Sequence, residues 1–157
     1  MIRYLLDTNV VSQPSKANPD AKLLAWLDAT DDVELAISAV TVHEPWYGVA
    51  RARAAKHAKA EAMAAAVDAI LEAYAGRILP VDTQAAKVWA ELLAQQNKHV
   101  NDKCIVAVAR VNNLTLVTRN VSDTAGLGVD VLNPFKKPAQ LHTTEPPKLA
   151  PTNAPTS

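Results

Sequence analysis

The stretch YLLDTNVVS, residues 4–12, decides how the chain begins to fold. Its apolar start predicts a buried strand over Ile2 to Leu6. The acidic residue that follows, Asp7, precedes two small polar residues, Thr8 and Asn9. Asp7 at such a position is either a helix N-cap or one of several carboxylates that meet at the edge of a sheet.

Length and composition limit the alternatives. The chain has 157 residues, which predicts one domain with a full hydrophobic core. Its 16 cationic side chains balance 16 acidic ones, so binding to nucleic acid or to an anionic membrane must depend on local patches. The single Cys104 excludes an internal disulfide and a Cys-rich zinc site. Four glycines in all are too few and too dispersed for a phosphate-binding loop.

No apolar run is long enough for a signal peptide or a membrane span. From this we expect a cytoplasmic protein that has no contact with a membrane.

Segments typical of strands alternate with segments of helical periodicity. The predicted strands after the first are ELAISAV, ending near Ser38, and then RILPV, LTLVT and GVDVLNP. Alternation of this kind predicts an α/β fold in which helices cover a mostly parallel sheet.

Two local patterns predict helix boundaries. Thr41 and Glu44 have the spacing of a capping box, which would start a helix at Thr41. The alanine-rich segment from Ala50 to Ala75 has strong helix propensity, and Gly76 is placed to end that helix.

The composition changes near the C-terminus. Residues 136–157 are rich in proline and threonine and contain almost no large apolar residue, which predicts a disordered tail. The folded domain is therefore expected to span residues 1–135.

Four acids fall near predicted strand or helix ends. Asp7 ends the first strand, Glu44 follows the second, Asp102 opens a helix, and Asp123 follows the strand LTLVT. Ligands of parallel α/β sheets bind beyond the carboxyl ends of the strands, so these side chains can meet there. Carboxylates in such a group repel one another unless a cation binds, and oxygen ligands with no Cys or His nearby favour Mg²⁺ or Mn²⁺.

Each acid also has a purely structural explanation. Asp7 can be a cap, Glu44 the second member of a capping box, Asp102 an anion favoured by a helix dipole, and Asp123 a turn residue. Taken one at a time these explanations are preferable, and the joint placement of all four favours a metal site.

Four segments in this order resemble a PIN-domain ribonuclease, most of all the VapC toxins of type II toxin–antitoxin systems in their FitB-like branch. They are LLDTNVVS, ISAVTVHEPWYGVAR, NDKCIVAVAR and LTLVTRNVSDTAGLGVDVLNPF. The resemblance covers residues 2–135. It implies a PIN-like three-layer α/β/α fold with a short, mostly parallel central sheet, and a Mg²⁺-dependent endoribonuclease activity.

The resemblance also implies roles for individual residues. By position, Asp7, Glu44 and Asp102 match the three main acids of the family, and Asp123 matches the fourth. We expect Asp7 and Asp102 to bind the metal directly, with Glu44 and Asp123 completing the shell and Glu44 orienting the attacking water. The supporting polar residues are Thr8, Asn9 and Asn120.

Two positions depart from the family pattern. Pro45 replaces the usual leucine after Glu44, and we expect it in the first helical turn, where proline is tolerated. Lys103 replaces a small residue after Asp102, and it can either pair with Asp102 or contact a phosphate.

The candidate RNA-binding residues form one dense basic patch and one separate cation. A solvated helix face explains the patch at least as well, and the separate cation, Arg119, can instead pair with an acid of the site. His43 and His99 are isolated in the sequence and predict a surface or packing role. The candidates are Arg51, Arg53, Lys56 and Arg119.

Two other functions are considered. A phosphoaspartate phosphatase requires a second Asp two residues after the first, and Asn9 occupies that position here. A catalytically weak PIN-like module that acts mainly by binding its antitoxin is the remaining alternative, favoured by Pro45 and Lys103. The family resemblance further implies a homodimer and a VapB-like antitoxin partner.

Overall fold

A computed structural model describes residues 1–124 and 126–144 of the chain. Within these residues, six short strands alternate with helices. The strands are β1 (Tyr4–Leu6), β2 (Leu35–Ser38), β3 (Ile78–Leu79), β4 (Thr115–Val117), β5 (Val131–Asn133) and β6 (Gln140–His142). The α-helices are α1 (Thr8–Val11), α2 (Ala21–Asp28), α3 (Ala39–Ala54), α4 (Ala60–Ala73), α5 (Thr83–Gln95), α6 (Val100–Val111) and α7 (Val121–Thr124).

The strands form one sheet in the order β3-β2-β1-β4-β5-β6. Every neighbouring pair is parallel except β5 and β6, which are antiparallel. β1 lies inside the sheet, with Leu5 opposite Ala36 of β2 on one side and Leu116 of β4 on the other. The predicted α/β fold with a mostly parallel sheet is confirmed.

Both faces of the sheet are covered, because consecutive side chains of a strand point to opposite faces. Leu5 belongs to a core cluster with α5 and α6, which contribute Leu92 and Val106. Leu6 belongs to a second cluster with α1 and α2, which contribute Val10 and Leu23. Helix layers therefore lie on both sides of the sheet, as the predicted three-layer arrangement requires.

The start of α3 differs from the prediction. Ser38, not Thr41, is the N-cap, and its hydroxyl accepts a hydrogen bond from the backbone N–H of Val40 at 3.1 Å. The predicted capping box of Thr41 and Glu44 is therefore wrong, since both residues lie inside the helix. Ser38 is also a favourable cap and lies closer to the end of the strand.

The alanine-rich segment is not one helix. α3 ends at Ala54, and α4 begins at Ala60 and packs back against α3 through Val49 and Val67. Lys56 in the connection has a φ of 52°, and this left-handed conformation reverses the chain. Helix propensity is uniform along the segment, so it did not reveal the turn. Gly76, which was predicted to end the helix, follows α4 closely and has a φ of 78°.

The sheet extends beyond the predicted domain boundary. β6 pairs with β5, with Leu141 opposite Leu132, so the prediction of disorder is wrong for Gln140–His142. The last part of the predicted tail, residues 145–157, lies outside the described residues.

Among the helices that the structure describes, none combines the length and the apolar character needed to cross a lipid bilayer.

We expect Leu116→Ala to destabilise the protein much more than Leu141→Ala. Leu116 of β4 is 1% exposed in the core, whereas Leu141 of the edge strand β6 is 56% exposed. Removal of a buried leucine side chain costs about 2–5 kcal/mol, whereas exposed positions change stability by about 0.5 kcal/mol or less. Urea unfolding of both variants measures the difference, and equal losses would contradict this description of the core.

Candidate functional site

The candidate site lies at the edge of the sheet where β1, β2 and β4 end. These neighbouring parallel strands end at Leu6, Ser38 and Val117. The residues that follow β1 and β4 are Asp7 and Thr118, and both are buried. Because the strands are parallel, their carboxyl ends lie at one edge, where ligands of such sheets bind.

Asp7 is held by several hydrogen bonds. It is 4% exposed and is the N-cap of α1, and its Oδ1 accepts a hydrogen bond from the backbone N–H of Thr8 at 2.7 Å. Its Oδ2 accepts hydrogen bonds from the Thr118 hydroxyl at 2.6 Å and from the Asn9 side-chain amide at 3.2 Å. The predicted cap is therefore present, and the carboxylate orientation is fixed before any ligand binds.

Burial raises the pKa of Asp7 above its ordinary value, and the charge of Glu44 raises it further. The hydrogen bonds from Thr118, Thr8 and Asn9 act in the opposite direction and lower this pKa. A carboxyl whose pKa is raised on folding stabilises the folded state most below the ordinary Asp pKa of about 3.9. This contribution is lost as the pH rises through the pKa of the folded state. Ionised Asp7 therefore lowers the free energy of unfolding at neutral pH.

Glu44 lies in the second turn of α3 and is exposed. Its Oε1 accepts a hydrogen bond at 2.8 Å from the side-chain amide of Asn101, which belongs to the first turn of α6. This contact joins two residues that are 57 positions apart in the chain, and it fixes Glu44 over the start of α6.

Asp102 lies beside Asn101 in the first turn of α6. Burial raises its pKa, and the negative charges of Asp7, Asp123 and Glu44 raise it further, whereas His99 lowers it. Each of the other three predicted acids is therefore close enough to Asp102 to raise its pKa.

Asp123 lies in α7 and approaches Asp102 through a histidine. The Nδ1 atom of His99 is 3.9 Å from Oδ2 of Asp102, and its Nε2 atom is 3.7 Å from Oδ1 of Asp123. One ligand atom from each of these three residues lies within 4.8 Å of the others, an arrangement that can hold a metal ion. His99 is exposed, and it lies beside two of the acids, so the expectation that no histidine lies near them is wrong.

The arrangement fits a divalent cation. The repulsion among the four acids and the raised pKa values of Asp7 and Asp102 give a cation a favourable place to bind. Carboxylate oxygens are the ligands that hard divalent ions prefer. The residues at the sheet edge also border an open cleft of about 310 Å³ that is lined by Glu44, His99, Val100, Asn101 and Asp102.

The predicted supporting residues lie at the same edge. Thr8 and Asn9 donate to Asp7, as described above, and Asn9 also accepts a hydrogen bond from the backbone N–H of Arg119 at 3.5 Å. The backbone N–H of Asn120 donates to the Thr118 hydroxyl at 3.0 Å, which aligns that hydroxyl toward Asp7. The Arg119 guanidinium lies 4.0 Å from the centre of the Phe135 ring.

The predicted basic patch is exposed on α3 and the connection to α4. Arg53 pairs with Glu61 of α4 at 3.0 Å and lies over the Trp46 ring, and Arg51 lies over the Tyr47 ring. The ion pair with Glu61 partly neutralises the charge of Arg53. Lys56 is an exposed residue of the turn. Contact of these residues with RNA stays a prediction.

Neither departure from the family pattern occupies its predicted place. Pro45 is the seventh residue of α3, not a member of its first turn, and it has no N–H to donate to the Thr41 carbonyl. Lys103 is 2% exposed, and its ammonium donates to the backbone carbonyl of Gln96. It is directed away from the acids, so the expectation that it pairs with Asp102 or contacts a phosphate is wrong.

The sequence analysis missed three residues of this edge. Thr118 could have been recognised as a small polar residue at the end of β4, in the position that Asp7 has after β1. His99 and Asn101 have no comparable local pattern, because their partners Asp123 and Glu44 belong to other helices.

Comparison with known proteins places this geometry in a family. The PIN domain family matches residues 4–122. The VapC ribonuclease Y4jK of Sinorhizobium fredii is 36% identical over 137 residues, which are 84% of this chain and 97% of the relative. Toxin FitB of Neisseria gonorrhoeae is 33% identical over 141 residues, 83% of this chain and 97% of the relative.

Solved structures agree with the sequence matches. FitAcB from Neisseria gonorrhoeae has a TM-score of 0.67 at 33% identity and covers 84% of this chain and 98% of its own. VapBC2 from Rickettsia felis, solved bound to a DNA fragment from its promoter, has a TM-score of 0.60 at 28% identity. The match covers 78% of this chain and 90% of the Rickettsia chain.

We expect Thr118→Val to raise the pKa of Asp7, because it removes a hydrogen bond that favours the ionised carboxylate. Without metal at neutral pH, it should also cost about 1–3 kcal/mol of stability, as expected when a buried polar group loses its partner. Carboxyl-carbon NMR titration and urea unfolding measure both effects.

Thr41→Val is the matched control. Among the described residues, the Thr41 hydroxyl is a buried side-chain polar atom without a hydrogen-bond partner. Its replacement by a methyl group should leave the Asp7 pKa unchanged and be neutral or slightly stabilising. An Asp7 pKa that stays the same in Thr118→Val would contradict the role given to that hydroxyl.

Proposed function

Because the chain belongs to the PIN-domain family and is related to the VapC and FitB toxins over most of its length, we propose that it is a Mg²⁺-dependent endoribonuclease and the toxin of a toxin–antitoxin pair. The observation that carries this proposal is that one ligand atom each of His99, Asp102 and Asp123 lies within 4.8 Å of the others, with the buried carboxylate of Asp7 at the same edge of the sheet. Such a group of carboxylates favours a divalent cation, and the cleft beside it is open to a large substrate.

The residues of the edge have different tasks. Asp7 and Asp102 would bind the ion directly, and Asp123, which has a carboxylate oxygen within 4.8 Å of one of Asp102, would complete the shell. Thr118 and Thr8 fix the Asp7 carboxylate. When bound, a divalent ion activates water and offsets the charge that develops on the phosphate during hydrolysis. Glu44, exposed and held by the amide of Asn101, would complete the shell and orient the attacking water.

The RNA backbone needs cations beyond the metal. Arg51 and Lys56 are exposed on the α3 side of the site, and Arg119 follows β4 beside Asn9. These side chains supply local positive charge in a chain whose formal net charge is zero. From the family resemblance, we propose that cleavage leaves RNA products with a 5′-phosphate and a 3′-hydroxyl.

The proposed partner is a small VapB-like antitoxin, and the proposed toxin is a cytoplasmic homodimer. Its relatives include proteins solved as FitAB and VapBC complexes, some with DNA. The alternative of a catalytically weak binding module rested on Pro45 and Lys103. Lys103 is buried away from the acids, and Glu44 still reaches the cleft despite Pro45, so neither residue favours that alternative.

We expect purified protein to cleave RNA with Mg²⁺ and to lose this activity with EDTA. Asp102→Asn should lower cleavage at least about 100-fold, since several kcal/mol of transition-state stabilisation depend on the ion. Asp28→Asn, which removes an exposed carboxylate at the end of α2, is the matched control and should keep full activity. Cleavage of a labelled RNA that persists in EDTA or in Asp102→Asn would reject the proposal.

We expect induction of the chain in bacteria to arrest growth, whereas Asp102→Asn at equal expression should not. Co-expression of the small protein encoded beside this gene should restore growth and co-purify with the chain. Arrest by Asp102→Asn as strong as that by the unmodified chain would instead support the binding-module alternative.

A further inference from the structure

The imidazole of His99 lies between two carboxylates that belong to different helices. Its two nitrogens are 3.9 Å from Asp102 and 3.7 Å from Asp123. These separations are longer than hydrogen bonds, which end near 3.2 Å for an N–H donor. Two ligand atoms bound at right angles to one ion, each about 2.1 Å away, lie about 3 Å apart. One ligand atom of each residue lies within 4.8 Å of the others, so a contraction of less than about 2 Å would bring these residues around a common ion.

We propose that His99 supplies a nitrogen ligand to the ion at this site, and that the site therefore binds a first-row transition-metal ion such as Mn²⁺ more tightly than Mg²⁺. The inference deepens the proposed function and rests on it. Mg²⁺ is bound in proteins mainly by oxygen, whereas imidazole is a good ligand for transition metals. A histidine between two acids therefore changes which ion the site prefers.

The backbone before α6 holds His99 in place. The His99 carbonyl accepts a hydrogen bond from the backbone N–H of Lys103 at 3.0 Å, and the buried Lys103 ammonium donates to the carbonyl of Gln96. The indole N–H of Trp89 donates to the carbonyl of Val100 at 2.9 Å. These contacts attach residues 96–99 and the start of α6 to the neighbouring helices, and they hold the backbone of His99 beside the acids.

One ring nitrogen is sufficient for the ion. In metal sites the second nitrogen of a ligating histidine commonly donates to a carboxylate, which fixes the ring orientation and strengthens the ligand. His99 has a carboxylate near each nitrogen, so either nitrogen can bind the ion while the other faces an acid. The competing explanation is that a protonated His99 only pairs with the two acids and never contacts an ion.

Calorimetric titration of the metal-free full-length chain with Mn²⁺, and separately with Mg²⁺, distinguishes the two explanations. His99→Gln should weaken Mn²⁺ binding at least about tenfold, since loss of even an outer partner of a metal ligand costs that much. Mg²⁺ binding should change by much less, so the preference for Mn²⁺ falls. His43→Gln, which changes an exposed histidine of α3, is the matched control and should leave both affinities unaltered.

A spectroscopic measurement tests the ligand directly. Pulsed electron paramagnetic resonance of the Mn²⁺ complex should show coupling to an imidazole nitrogen in the unmodified chain and in His43→Gln, and none in His99→Gln. Equal weakening of Mn²⁺ and Mg²⁺ by His99→Gln, or no nitrogen coupling in the unmodified chain, would overturn the proposal.

The proposed nuclease function can survive that result. If the His99 proposal alone is wrong, RNA cleavage still requires a divalent ion and Asp102. If neither Mn²⁺ nor Mg²⁺ binds to the unmodified chain, the metal-dependent nuclease and the His99 proposal fail together.

Discussion

The repulsion among four carboxylates at one edge of the sheet is the constraint on which the rest of the site depends. Burial alone raises the pKa of Asp7 and of Asp102, and the neighbouring acids raise both further. Hydrogen bonds from Thr118, Thr8 and Asn9 offset part of this cost at Asp7 without removing the charge. A fold that holds such a group together is less stable at neutral pH than it could be, and a bound divalent cation would relieve the repulsion.

The elements that carry Asp7 and Asp102 are packed into the hydrophobic core. β1 is inside the sheet, and its residues Leu5 and Leu6 pack into the cores on opposite faces, so Asp7 directly follows a strand that is fixed on both sides. α6 carries Asp102 in its first turn and is buried from Lys103 to Ala109, so its start cannot move without disturbing the core. The exposed Glu44 lacks such packing and is held instead by a single amide, that of Asn101.

The parts of this structure that local sequence determines were predictable, and contacts between distant segments were not. The buried strand before Asp7 and the helix cap that Asp7 itself forms follow from residues adjacent in the chain. The break at Lys56 was missed because helix propensity changes little along the alanine-rich segment. The N-cap of α3 was assigned wrongly because Ser38 and Thr41 are both good capping residues. His99 and Asn101 meet their partners only after α6, α7 and α3 pack, so no pattern of spacing could reveal them. The sequence resemblance indicated the family, whereas the position of His99 between the acids is evident only in the three-dimensional structure.

Anomalous X-ray diffraction from crystals grown with Mn²⁺ is the most direct measurement of the central claim, which is that a divalent cation compensates the clustered acids. The account predicts a manganese peak at the end of β1 and β4, bound by oxygens of Asp7 and Asp102 and close to Asp123. Crystals in saturating Mn²⁺ with no peak at this edge, and with the four carboxylates in their present positions, would contradict it.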